Sequence, residues 1–122
     1  MAHPVTSGAL AIPAGATTTQ TSPDLTNNDA RGVTVFVSST VIGTGSITVT
    51  IQGKDRASGL YYTLLAGAAI ITNTVNRYTV YPGGTVAANV SASDSLPELW
   101  RILVTANNAN AATYTVGWST LA

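Results

Sequence analysis

The sequence predicts an all-β domain. The expected form is an antiparallel β-sandwich, Ig-like or jelly-roll-like, of about seven or eight short strands behind an extended N-terminal arm. Three observations carry this. Apolar and polar residues alternate with period two in segment after segment. No window repeats apolar residues at three and four over several turns, as a helix would. Turn-forming stretches, "VIGTGS", "KDRASG", "YPGGT" and "ANNANAA", separate the alternating segments.

Residues 1–30 differ from the rest. "GALAIPAGATTTQTSPDLTNND" mixes small residues, a threonine run and two prolines. The expectation is an arm that either supplies an edge strand, with Thr17, Thr18 and Thr19 as its β-prone part, or orders only on a partner. Residues 31–122 are the expected sandwich domain, and 122 residues in total make one domain by length.

In "GVTVFVSS", Val33, Val35 and Val37 share one face, with Thr34, Phe36 and Ser38 on the other. In "SITVTIQG", Ile47, Val49 and Ile51 oppose Thr48, Thr50 and Gln52. "YYTLLAGAA" and "RYTVYP" read as two further strands, Pro82 closing the second. "SASDSLPEL", 91–99, has room for one helical turn capped by Asp94 or Ser95, with Pro97 near its start. In "LWRILVTA", Trp100, Ile102 and Val104 alternate with Arg101, Leu103 and Thr105. In "ATYTVGWS", Tyr114, Val116 and Trp118 alternate with Thr113, Thr115 and Gly117. The expected core therefore includes Val35, Val49, Trp100, Val104, Tyr114 and Trp118.

Between the second and third strands lies "GKDRASG". Lys54, Asp55 and Arg56 are three of only ten formally charged side chains. Gly53 and Gly59 bracket "KDRAS", so the stretch reads as a hairpin loop, with Asp55 capping the turn or pairing with a nearby arginine. Three neighbours on a loop tip do not converge on one reacting atom. Arg101, leaning outward, is expected to pair with Asp55 or Asp94.

Composition narrows the function classes. Charged residues make up 8% of the chain, against roughly 25% in an ordinary soluble domain. Five basic and five acidic residues balance, so no basic field exists to hold nucleic acid. Much of the surface must be Thr, Ser, Asn, Gly and Ala, which tolerates close packing against other subunits. The start lacks a basic region followed by a long apolar run, and the longest apolar run, "AGAAII", is too short to span a bilayer. No membrane partner is expected.

The catalytic inventory is poor. There is no cysteine, and the single histidine, His3, sits beside the first methionine. The only close acidic pairs are Asp24 with Asp29 and Asp94 with Glu98, which read as loop and cap acids. "GTG" and "PGGT" lack the strand–loop–helix context of a nucleotide fingerprint. No catalytic residue, metal site or cofactor is expected. The tyrosines, Tyr61 beside Tyr62 and Tyr78 near Tyr81, together with Asn107, Asn108 and Asn110, admit a glycan-binding reading.

The order of "TVTIQGKDRASGLYYTLLAGAAI", "RYTVYPG", "DSLPELWRILVT" and "ATYTVGWSTL" resembles small β-sandwich proteins encoded among the virion-structure genes of tailed bacteriophages and prophages. There a strand ends in a K-D-x-x-S-G-x-Y hairpin, matched here by Lys54, Asp55, Ser58, Gly59 and Tyr61. A Y-P-G turn and an L-P-x-x-W-R segment follow. The resemblance spans residues 31–121. Glu98 and Leu99 fill the variable positions of "LPELWR", where a basic residue often precedes a Thr-Trp-Arg form.

The resemblance implies a noncatalytic virion protein: a head decoration (cement) protein that binds the outside of the major capsid protein lattice and stabilises the head. It would be made in the host bacterial cytoplasm and reside on the capsid surface. It would self-associate, as a trimer at local threefold axes. The arm, with Val5, Leu10, Ile12, Thr17, Thr18 and Thr19, would then face the capsid, adding main-chain hydrogen bonds. The alternatives are a tail or head–tail-junction component, or a glycan-binding module displayed on the virion.

Overall fold

The structure, a computed structural model, describes residues 6–122. Val5 and His3 lie outside the described residues. Ten strands run in chain order: β1 Ser7–Leu10, β2 Gln20–Thr21, β3 Leu25–Thr26, β4 Gly32–Val41, β5 Ile47–Lys54, β6 Tyr61–Ala66, β7 Val75–Val80, β8 Ser91–Ala92, β9 Leu99–Ala106 and β10 Thr113–Leu121. The described residues contain no helix. Two five-stranded sheets face each other. One has the order β1-β10-β4-β7-β8; the other has β2-β9-β5-β6, with β3 also paired to β9. All pairings are antiparallel except β7 with β8.

The expected all-β sandwich is therefore what the chain forms. The long strands fall where alternation placed them; β2, β3 and β8, two residues each, carry the number to ten. Their brevity leaves no periodicity to detect.

Burial follows the alternation. In β5 it runs strictly buried, half-buried, and in β9 Trp100, Ile102 and Val104 are fully buried. Val33, Val35 and Val37 of β4 meet them from the opposite sheet. Val35, Val49, Trp100, Val104 and Tyr114 are thus core residues. Trp118 is half-buried, packing on the core from its margin. It lies under β1, whose Gly8 pairs with it; a Cβ on Gly8 would come within 2.5 Å of the indole. Leu64 and Leu65 break the alternation, both being buried. The β5–β6 register shifts between Ile51 and Gln52, inserting one residue into β6.

Three expectations need correction. The N-terminal segment supplies edge strands at Ser7–Leu10 and, directly after the threonine run, at Gln20–Thr21, while Thr17 to Thr19 themselves lie outside any strand. Those threonines are exposed, whereas the β1 backbone is held by a full ladder to β10. Residues 91–99 form no helical turn: Ser91 and Ala92 pair with β7, and the Asp94 carboxylate accepts the amide of Ser95 alone. Gly53 lies within β5 instead of bracketing a turn; a Cβ there would come within 2.6 Å of the Tyr62 ring.

Candidate functional site

The hairpin joining β5 to β6 organises a polar cluster that holds both ion pairs found among the described residues. Residues 55–60 close the turn. Asp55 accepts hydrogen bonds from the Ser58 hydroxyl at 2.7 Å and from the Ala57 and Ser58 amides at 3.3 Å. Gly59 adopts φ +76°, a left-handed conformation that a side chain would oppose. Its amide donates to the Asp55 carbonyl at 2.8 Å. The Ser58 hydroxyl, followed by these amides, holds the Asp55 carboxyl below its ordinary pKa.

The strand ends flanking the turn reach across the sheet. Lys54 and Tyr61 are register partners, so both project from its outer face. Both meet Asp24, in the short link between β2 and β3. The Lys54 ammonium donates to one carboxylate oxygen at 2.8 Å, and the Tyr61 hydroxyl donates to the other at 2.6 Å. The Lys54 bond, then the Tyr61 bond, lower the Asp24 pKa; the same contact with Asp24 raises that of Lys54.

Arg101 completes the cluster, and not as expected. Its guanidinium carbon lies 3.5 Å from the Tyr61 ring centroid, and its Nε donates to Gln52 at 2.8 Å. Asp55 is committed to its own turn and Asp94 to Ser95, so neither pairs with Arg101. Arg56 instead bridges from the hairpin to Glu98, just ahead of β9. Asp24, Lys54, Asp55, Arg56, Glu98 and Arg101, six of the ten charged side chains, thus gather at this end of the second sheet, three of each sign.

Lys54, Asp55, Ser58, Gly59 and Tyr61 are therefore brought together, each with a distinct structural task. The residue that sequence reasoning did not connect to them is Asp24, 30 positions before Lys54. Its only local signal is the turn-prone "SPD". The cluster's ion pairs are mutually satisfied, and hydrogen bonds hold the Asp24 and Asp55 carboxyls below their ordinary pKa. Such groups anchor loops; they are poorly suited to take up a proton. Among the described residues no three His, Cys, Asp or Glu side chains converge as metal ligands.

The other singled-out residues are dispersed. Leu10 and Ile12 are half-buried against the core, so they secure the N-terminal segment to the sandwich rather than facing outward. Thr17 and Thr18 are exposed, and Thr19 is exposed with its hydroxyl accepting the Ala106 amide. Asn107 donates to Ser46 and Thr48, and Asn108 and Asn110 both donate to the Thr44 carbonyl. These asparagines thus lace together the β4–β5 and β9–β10 loops, two of those that cross between the sheets. One face of Tyr61 is covered by Arg101, which leaves Tyr62, 45% exposed, as the open tyrosine of that pair.

The outer face of the first sheet has the opposite character. Thr34, Phe36 and Ser38 from β4 stand between Thr115, Gly117 and Ser119 of β10 and Val75, Arg77 and Thr79 of β7. One charge appears in this set. Phe36 is 48% exposed in the central strand, with Gly117 on one side and Arg77 on the other.

Scans against protein-family models, curated proteins and solved structures each return no match.

Proposed function

We propose that this chain is a noncatalytic structural protein that docks through the outer face of its first sheet. We further propose that its setting is the capsid exterior of a tailed bacteriophage, as a head decoration protein against the major capsid protein. The observation that carries the docking role is Phe36: a half-exposed aromatic at the centre of a nearly uncharged Thr- and Ser-rich sheet face. Interface centres are depleted of charge and enriched in aromatic anchors. Six of the ten charged residues gather at the other sheet, where Lys54 pairs with Asp24 and Arg56 with Glu98. The ordered hairpin, Y-P-G and L-P-x-x-W-R segments supply the phage setting.

The test is reconstitution on phage heads that lack the protein. Wild-type protein is expected to bind at fixed stoichiometry, and Phe36→Ser to bind weakly while melting at the same temperature. Equal binding by the two proteins removes the first sheet as the docking face. Absence of the protein from purified virions that encode it ends the capsid proposal. Light scattering over a dilution series reads self-association, with a trimer expected.

A further inference from the structure

The loop after β6 and the loop before β8 enclose a groove of about 390 Å³ beside β7. That is the small end of the roughly 300–1,000 Å³ range of small-molecule sites. Its lining is apolar at Ala68, Ile70 and Val90. Two features set it apart from an accidental crease.

The first is Asn76. In β7 it pairs with Val37, and like Tyr78 and Val80 it faces inward. An asparagine there breaks the apolar pattern. Its side-chain Nδ2 is buried and has no hydrogen-bond partner. A buried donor without an acceptor is costly, and such breaches of local rules mark functional positions.

The second is the exposed edge of β7. The amides of Thr79 and Tyr81 donate away from β4, to the carbonyls of Val90 and Ala92. Period-two alternation turns the amide and carbonyl of Arg77 to the same side. β8 pairs only with Thr79 and Val80, so Arg77's main chain faces the groove beyond its end.

We propose that this groove binds the acetamido group of an N-acetylated amino sugar. The acetamido carbonyl accepts from Asn76 Nδ2 and the Arg77 amide, its N–H donates to the Arg77 carbonyl, and its methyl rests on Ile70 and Val90. The sugar hydroxyls meet the exposed polar rim of Thr72, Asn89 and the Arg77 side chain. A peptide strand is the poorer occupant: the free edge runs only over Val75–Arg77, too short for strand addition. This site shares Arg77 with the margin of the Phe36-centred face but does not depend on that docking role.

The test is a titration of the isotope-labelled protein, following backbone amide resonances, with N-acetylglucosamine, glucose and N-methylacetamide as probes. Saturable shifts at Asn76, Arg77 and Val90 are expected with N-acetylglucosamine in the millimolar range. N-methylacetamide should move the same amides, and glucose should bind about tenfold more weakly, having no acetamido group to pair with Asn76. Asn76→Leu should abolish the response. Ala88→Phe, which changes an exposed position at the rim, should block the groove with the core untouched and guards against a folding defect in the first variant. Equal responses to glucose and N-acetylglucosamine, or no shifts at these amides with any probe, overturn the proposal.

Discussion

Trp100 of β9 and Trp118 of β10 meet edge to face across the two sheets, with ring centroids 5.3 Å apart and planes at 88°. The pair closes the core under β1 and is shared between both sheets. Trp100→Ala is expected to cost about 3–5 kcal/mol, because the side chain is fully buried. Trp118→Ala should cost less, since its side chain is only partly buried. A double-mutant cycle by chemical denaturation should return a coupling of about 0.5–1.5 kcal/mol. An undiminished stability in Trp100→Ala contradicts the packing described.

Gly53 is expected to tolerate no side chain, although its conformation is ordinary for a strand. An added Cβ would meet the Tyr62 ring at 2.6 Å and Pro97 at 2.8 Å. Gly53→Ala should therefore lower stability by about 1–3 kcal/mol, the range for overpacking. Gly53→Ala combined with Tyr62→Ala should recover part of the loss. Thermal melts of the single and double variants check this.

On acidification, stability should fall as Asp24 and Asp55 are protonated. Both folded pKa values lie below the ordinary 3.8, so their contribution is present above pH 3.8 and disappears as pH drops through the lower folded values. Asp24→Asn should flatten the acid limb of a stability–pH profile. Because these groups are exposed to solvent, the effect should be modest and shrink in high salt.

At alkaline pH a different group sets the limit. Burial pushes the Tyr114 phenol up to about 12 and raises that of Tyr78 as well. The unfolded chain loses these protons first, so stability is intact below pH 10 and declines as pH rises toward the folded values. Tyr114→Phe should move this decline to higher pH. Ultraviolet titration of tyrosinate should show its late-ionising component reduced in the variant.

The long strands were legible because one face of each is buried, which forces apolar residues onto every second position of β4, β5, β9 and β10. The hairpin was legible because Asp55, Ser58 and Gly59 act within their own turn. What joins distant segments was not. Asp24 meets Lys54 and Tyr61 only because β3 and β2 lie along β9, a placement that no local pattern encodes. Arg101 was expected to seek a carboxylate, but Tyr61 and Gln52 on neighbouring strands reach it first. The bulge that buries both Leu64 and Leu65 likewise depends on register, which alternation within one strand does not fix.

The position of β10 has a consequence for how the molecule is made. It lies between β1 and β4, while β9 lies between β5 and the short strands β2 and β3. During synthesis, the first two-thirds of the chain emerges from the ribosome with β1 and β4 still lacking the strand that separates them. The valine-rich β4 must wait, partly unpaired, until Thr113–Leu121 appears, and β5 until Leu99–Ala106 does. Folding should therefore wait until β10 has emerged, and be slow for a domain of this size. Until then the sparsely charged strands are open to pairing with other nascent chains, which makes the rate of closure by β10 a determinant of yield.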